Sequence, residues 1–127
     1  MHRILVAEDE EPLRELFKDI LEDAGFVVET AEDGHSALQK ILQGGYDLIL
    51  LDIIMPKMDG ITVLRKLKKE NLKVPNGPIV MLSVLEETDF VKTCLNLGAE
   101  GYIHKSMGTP EDIINQVKNM VKGDSSP

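Results

Sequence analysis

The chain has 127 residues, 43% of them hydrophobic, which suits one domain whose core needs no disulfide. It has a single cysteine and no apolar run near the ~18 residues of a membrane span, so we expect a cytoplasmic domain without a signal peptide or membrane segment. The net charge of −8 repels nucleic acid at long range, which disfavours direct DNA binding.

Short apolar runs rich in β-branched residues alternate with helical patterns, which predicts five β-α units. The predicted strands are residues 3–7, 26–31, 48–51, 79–82 and 101–104. The third and fourth runs are continuously apolar, as is typical of parallel strands covered on both faces. This order predicts an α/β domain with a doubly wound parallel sheet in three layers.

The predicted helices begin near Glu11, Ser36, Asp59 or Gly60, Glu87 or Asp89, and Thr109. The last start is the clearest, because Thr109 is a good N-cap and Pro110 suits the first helical position. Two helices carry the apolar faces that matter below. On the first helix we expect a buried face of Leu13, Leu16, Phe17, Ile20 and Ala24, and on the fourth helix one of Phe90, Val91, Cys94 and Leu95.

Polar side chains stand at the ends of four predicted strands. Glu8 and Asp9 follow the first strand, Asp52 the third, Ser83 the fourth and Lys105 the fifth. Ligands of such sheets bind outside the carboxyl ends of the strands, so these side chains should meet at one edge. Three carboxylates, a hydroxyl and an amine together predict a site for a cation and a phosphate, with an acidic nucleophile.

The acidic cluster needs a partner for its charge. Carboxylates a few ångströms apart disfavour each other's ionisation, and carboxylate oxygens with water are the ligands that Mg²⁺ prefers. A solvated strand end is the alternative explanation for the acids alone. Ser83 and Lys105 can both contact phosphoryl oxygens, and their joint placement opposite the acids favours a phosphoryl site.

The chain resembles the receiver domain of bacterial response regulators, the flavodoxin-like family that includes the chemotaxis regulator. The resemblance covers residues 2–122 and is carried by residues 4–10, 50–60 and 97–105, with the Asp-x-x-Met-Pro-x-Met-Asp-Gly string from Asp52 the most specific part. It implies a (βα)5 sandwich with a five-stranded sheet of order 2-1-3-4-5. Residues 1–122 would form the receiver domain, and we expect residues 123–127 to be a disordered polar tail.

By that resemblance, the chain belongs to a two-component phosphorelay and Asp52 accepts a phosphoryl group from a sensor histidine kinase or a phosphotransfer protein. Asp9, Asp52 and the backbone carbonyl of Ile54 would coordinate Mg²⁺, and Glu8 would act mostly through water. Lys105 would pair with Asp52 and later with its phosphoryl group. We expect no enzymatic activity on other molecules, only the chain's own phosphorylation and dephosphorylation.

The resemblance also implies a switch. Ser83 would move toward the phosphoryl oxygen and Tyr102 would turn inward, changing the surface made by the fourth helix, the fifth strand and the fifth helix. From its spacing alone, Tyr102 is an ordinary strand aromatic. That surface would bind a downstream protein target or a second copy of the chain. The basic run from Arg65 to Lys69 is interpreted as a solvated helix face, with a partner contact as the alternative.

Two departures from the family pattern bear on the lifetime of the phosphoryl group. Ile54 and Leu85 lie two residues after Asp52 and Ser83, where family side chains flank the hydrolysing water, and neither can orient water by hydrogen bonds. We therefore expect slow autodephosphorylation.

Ser106 stands where many relatives have a proline, and we expect a trans peptide bond before it.

Other functions fit the sequence less well. An aspartate phosphohydrolase would need a second acid where Ile54 stands, and the chain has neither a P-loop nor a Rossmann glycine pattern. Two alternatives stay open, a phosphate-independent pseudo-receiver and a receiver domain excised from a larger regulator or hybrid kinase. We favour a protein that stands alone, whose kinase and target the sequence does not name.

Overall fold

The computed structural model describes residues 2–70, 72, 74–83, 89–105 and 109–121. Within these ranges strands and helices alternate: β1 Arg3–Ala7, α1 Glu11–Asp23, β2 Val27–Ala31, α2 Gly34–Gln43, β3 Leu48–Asp52, α3 Gly60–Leu67, β4 Ile79–Ser83, α4 Asp89–Asn96, β5 Gly101–His104 and α5 Pro110–Met120. The predictions made for Leu85, for Glu87, for the bond before Ser106 and for the tail at 123–127 fall outside the described residues.

The five strands form one parallel sheet in the order β2-β1-β3-β4-β5. The predicted fold class and strand order are therefore confirmed. Alternate strand residues face opposite sides of the sheet, and each side carries its own core. Leu5, Ile49 and Met81 pack on one side among residues of α2, α3 and α4, whereas Val6 and Leu50 pack on the other side among residues of α1 and α5.

Two helices bury a different stripe from the predicted one. In α1, Leu16 is 50% exposed while Leu21 is fully buried, so the prediction for Leu16 is wrong. The buried stripe is centred on Phe17 and Leu21, four residues apart, and Leu16 lies about 100° around the helix from Phe17. In α4, Phe90 and Leu95 are likewise exposed, against the prediction. The same helix buries Val91 and Cys94, so the core position of Cys94 is confirmed.

Side-chain caps define the starts of α5 and α2. Thr109 caps α5 as predicted: its hydroxyl accepts from the Asp112 N–H at 3.3 Å, and Asp112 Oδ2 accepts from the Thr109 N–H at 2.9 Å. Helix α2 starts at Gly34, two residues earlier than predicted, because Asp33 is its N-cap. Asp33 Oδ1 accepts from the Ser36 N–H at 2.8 Å, which satisfies a backbone donor of the first turn.

Strand β2 forms one outer edge of the sheet. Its Val27 N–H donates to His2 O, and its Ala31 carbonyl accepts from Glu8 N–H, so these odd-numbered positions face β1. The Thr30 carbonyl consequently points outward, where Lys40 Nζ donates to it at 2.7 Å. In the part of the chain that the structure describes, no helix combines the length and the apolar character needed to cross a membrane.

The amino-terminal ends of the strands are joined by a polar cluster opposite the predicted site. The Arg3 guanidinium lies 4.7 Å from the centre of the Tyr46 ring and pairs with Glu29, which also accepts from the Tyr46 hydroxyl at 3.0 Å. The bond from Arg3 lowers the pKa of Glu29. The cluster ties β1, β2 and the residues before β3 together.

Candidate functional site

The carboxyl ends of the strands surround a cavity of about 170 Å³. Asp52 and Ser83 are the last residues of β3 and β4, and Lys105 follows β5 directly. The lining residues are Asp9, Glu10, Asp52, Ile53, Ile54, Ser83 and Lys105. Because the strands are parallel, residues more than 90 positions apart in sequence meet here. The fold thus brings together the side chains that the sequence placed at one edge of the sheet.

Lys105 joins two buried carboxylates. Its Nζ lies 2.7 Å from Asp52 Oδ2 and 2.7 Å from Glu8 Oε1, and both acids are almost completely shielded from solvent. The Lys105 N–H donates to Ser83 O at 2.8 Å, which fixes the start of its side chain. Burial opposes the charge on Lys105, but the nearby Asp52 and Glu8 carboxylates outweigh the effect of burial and raise the pKa of the ammonium. The pairing with Asp52 was predicted from the resemblance; the pairing with Glu8 was not.

The Asp52 carboxylate is buried at a cost. Burial raises the pKa of Asp52 from 3.8 to about 7, the nearby Glu8 carboxylate adds to the increase, and Lys105 opposes it. Both oxygens nevertheless have donors, because Oδ1 accepts from the Ile54 N–H at 3.2 Å and Oδ2 from Lys105. The carboxylate is therefore fixed in orientation, and additional positive charge in the cavity would favour its ionised form.

Glu8, Asp9 and Asp52 each offer a carboxylate oxygen within 4.8 Å of the other two. Glu8 Oε2 accepts from the Glu10 N–H at 3.0 Å. Glu8 Oε1 lies at ion-pair distance from Lys105, yet the orientation does not make a hydrogen bond, so this buried oxygen keeps unused acceptor capacity. Asp9 is exposed at the mouth of the cavity. Hard oxygen donors with one open side fit a magnesium ion that keeps some of its waters.

The loop between β3 and α3 carries Ile54 into the lining of the cavity. The Gly60 N–H donates to Ile53 O at 2.7 Å, and a Cβ on Gly60 would lie 2.4 Å from Asp52 O. Asp59 caps α3 by accepting from the Thr62 N–H at 2.8 Å. The sequence predicted a helix start at Asp59 or Gly60; the close approach of Gly60 to the backbone of Asp52 is an additional requirement that this prediction missed.

The two residues of the predicted switch lie on neighbouring strands. Ser83 is buried in the cavity lining, and Tyr102 is half-buried on β5, where it pairs in register with Met81 of β4. Tyr102 packs against the core on the α2, α3 and α4 side of the sheet. The predicted movement of both residues stays a prediction.

Sequence comparison links the chain to one family. Residues 4–118 match the response regulator receiver domain. The transcriptional regulatory protein DltR of Streptococcus agalactiae is 39% identical over 109 residues, which are 86% of this chain and 47% of DltR. PhoB, the phosphate regulon transcriptional regulatory protein of Escherichia coli, is 39% identical over 121 residues, which are 94% of this chain and 52% of PhoB. The chain thus spans about half the length of these curated relatives.

Solved structures agree in fold over almost the whole chain. The receiver domain of the Francisella response regulator 1452 matches with a TM-score of 0.81 and 31% identity, covering 94% of this chain and 96% of that domain. A two-component response regulator from Clostridium difficile matches with a TM-score of 0.83 and 27% identity, covering 99% of this chain and all of the other. The chain therefore belongs to the receiver domain family of two-component response regulators.

Proposed function

We propose that Asp52 accepts a phosphoryl group from a sensor histidine kinase or a phosphotransfer protein. The observation that carries this proposal is the buried Asp52 carboxylate, fixed by Lys105 and Ile54 beside two further acids in an open cavity. A carboxylate oxygen of Asp52 attacks the phosphorus of the donor phosphohistidine. The bond from phosphorus to the imidazole nitrogen breaks, its electron pair stays on that nitrogen, and Asp52 becomes an acyl phosphate.

The protein's part in this reaction is positioning and charge compensation. The donors on both oxygens hold the Asp52 carboxylate still before the phosphoryl donor arrives. After transfer, Lys105 is close enough to pair with the negatively charged phosphoryl group on Asp52. The Ser83 hydroxyl, which lines the same cavity, can donate to a phosphoryl oxygen.

We also propose that Mg²⁺ is the cofactor. Glu8, Asp9 and Asp52 would hold it together with the carbonyl of Ile54, and the buried Glu8 Oε1 with unused acceptor capacity supports this. When bound, Mg²⁺ supplies positive charge that offsets the charge of the carboxylates and of the transferring phosphoryl group. Glu8 already contacts Lys105 directly, so we expect Glu8 to act on the bound ion through a water molecule, or indirectly by positioning Lys105.

The chain would not act as an enzyme on other molecules. Beyond its own phosphorylation, it would catalyse only slow loss of the phosphoryl group. Ile54 is 64% exposed at the cavity and has an apolar side chain, so it cannot orient an attacking water. Leu85 was predicted to act in the same way, but it lies outside the described residues.

The output would be a change of the surface formed by α4, β5 and α5, with Ser83 and Tyr102 as the switch residues. Phe90 and Leu95 of α4 expose apolar surface, which suits a protein partner or a second copy of the chain. With a net charge of −8, the receiver domain itself is proposed to contact protein and not DNA. We propose a cytoplasmic location, which the names of the relatives as transcriptional regulators support.

There are two alternative functions for this chain. The curated relatives are about twice as long as this chain, which favours a receiver domain that works within a larger regulator. A pseudo-receiver that binds partners without phosphate is the other. It is less well supported, because Asp9, Asp52, Ser83 and Lys105 are all present and assembled.

The test is incubation with acetyl phosphate and Mg²⁺, followed by intact-protein mass spectrometry. We expect the parent protein to gain the mass of one phosphoryl group, the Asp52→Asn variant to gain none, and EDTA to abolish the gain. An Asp19→Asn variant, with its exposed carboxylate on α1, is the matched control and should be phosphorylated like the parent. A parent protein that stays unmodified under these conditions would contradict the proposal and support the pseudo-receiver.

A further inference from the structure

The loop between β3 and α3 contains a strained turn. The Met58 N–H donates to Pro56 O at 2.7 Å, two residues back, and the residue between them, Lys57, has a φ of +67°. This combination is a γ-turn with positive φ, a strained conformation that residues with side chains adopt rarely. Such a turn persists only where its surroundings hold it in place.

The start of α2 provides those surroundings. Gly34 packs so closely on the loop that a Cβ there would lie 1.7 Å from Met58 O and 2.5 Å from Met58 C. Asp33, the residue before it, is 6% exposed and directs its Oδ2 at Lys57 Nζ, 3.5 Å away, while its Oδ1 caps the helix. The backbone after the turn is therefore in close contact with the first residue of α2, and the 70% exposed side chain at its centre forms an ion pair with the N-cap of that helix.

The held segment is continuous with the phosphoryl site. Two residues before Pro56, where the turn begins, the Ile54 N–H donates to Asp52 Oδ1, and Ile54 lines the cavity. On the far side, Gly60 is bonded back to Ile53. A displacement of Met58 would thus be transmitted through a short closed loop to Ile54 and to the Asp52 carboxylate.

We propose that Gly34 and Asp33 are positioning residues for phosphorylation, because they hold the β3–α3 loop in the shape that presents Ile54 to the cavity. Neither residue touches the cavity itself, so their effect acts through the loop. The inference rests on the proposed function, since it concerns the same Asp52 and the same Mg²⁺ site. It assigns the geometry of that site in part to a helix start about 20 residues earlier in the chain.

The test compares Gly34→Ala with Gly101→Ala, a control in which the added Cβ meets no atom within 4 Å. Mg²⁺ binding to each variant is measured by isothermal titration calorimetry. For Gly34→Ala we expect the Kd for Mg²⁺ to rise by about tenfold, which corresponds to about 1.4 kcal/mol. Phosphorylation by acetyl phosphate should slow at low Mg²⁺ and recover at saturating Mg²⁺. A general loss of folding would not recover in this way.

A second readout needs no metal. In ¹H–¹⁵N spectra of metal-free protein, the amides of residues 53–59 should shift in Gly34→Ala and stay in place in Gly101→Ala. An Asp33→Asn variant covers the case in which Gly34→Ala does not fold, since asparagine caps helices as well as aspartate but cannot pair with Lys57. We expect its Kd for Mg²⁺ to rise about threefold, and Lys57→Gly in the same protein to restore it, because glycine adopts positive φ without strain.

Unchanged Mg²⁺ binding and unchanged loop amides in folded Gly34→Ala would overturn the inference. So would an Asp33→Asn variant that binds Mg²⁺ like the parent, if Gly34→Ala is unfolded. A parent protein that neither binds Mg²⁺ nor accepts a phosphoryl group would instead overturn the proposed function itself, and the two failures are therefore distinguishable.

Discussion

Replacing Asp52 by asparagine should stabilise the metal-free protein above neutral pH, although it removes the phosphoryl acceptor. Asp52 is 2% exposed and lies beside the fully buried Glu8, with Lys105 as a shared cation. Asparagine has a similar shape and no charge. It relieves the repulsion from Glu8 and leaves Lys105 paired with Glu8.

The size of the effect follows from the raised pKa of Asp52. A change from 3.8 to about 7 means that ionised Asp52 opposes folding by roughly 4 kcal/mol at high pH, at about 1.4 kcal/mol for each pKa unit. The opposition begins above the unfolded pKa and is complete above the folded pKa, so it grows between about pH 4 and pH 7. The amide must satisfy its own hydrogen bonds, so we expect a net gain of about 2 kcal/mol at pH 8.

Urea unfolding in EDTA, followed by circular dichroism because the chain has no tryptophan, measures this gain. The advantage of Asp52→Asn should shrink by roughly 2 kcal/mol between pH 7 and pH 5 and so disappear there. Added Mg²⁺ should also narrow the gap, because it binds and stabilises the parent. The exposed Asp19→Asn change should show neither trend. An Asp52→Asn variant that is less stable than the parent at pH 8, or a gap independent of pH, would refute the reasoning.

Three further outcomes are expected. Ile54→Asn should shorten the lifetime of the phosphoryl group, because an amide can orient the attacking water; an unchanged decay after removal of acetyl phosphate would contradict this. Thr109→Ala should lower the free energy of unfolding by about 1 kcal/mol in urea titrations, since it removes the reciprocal cap with Asp112, and an unchanged midpoint would show that this cap is dispensable. Glu29→Gln should destabilise the protein at neutral pH and lose that effect as the pH falls below 4.5, because the bond from Arg3 lowers the pKa of Glu29. Thermal unfolding of the variant and the parent is compared at pH 7 and pH 3. A variant that is as much less stable than the parent at pH 3 as at pH 7 would contradict this prediction.

The sheet and the composition of the cavity could be predicted because both depend on strand ends. Parallel strands put their carboxyl ends on one side, so Asp52, Ser83 and Lys105 had to meet once the strands were identified. The contact between Glu8 and Lys105 could not be predicted in the same way. It depends on how deeply the Glu8 side chain is buried, and depth is decided by tertiary packing.

Helix positions show the same division. Thr109 and Pro110 predict the start of α5 from the local sequence alone, and the structure has the helix begin there. Asp33 carried a comparable signal, because it precedes Ser36 by the three residues of a side-chain cap, but the prediction began the helix at Ser36. The contact of Gly34 with Met58 has no local signal, since it joins the start of α2 to a loop 24 residues later in the chain. In α1, Leu16 and Leu21 are equally apolar, and only the packed sheet decides which of them is buried.

The lysine at the outer edge of β2 bears on how copies of this protein avoid one another. An outermost strand offers unpaired carbonyls and amides to any chain that can lie alongside it. Here the ammonium of Lys40 already occupies the Thr30 carbonyl, and its charge would face the backbone of an incoming strand. A second sheet could extend this one only after displacing that ammonium, so association of two copies is directed away from this margin and toward their helical surfaces.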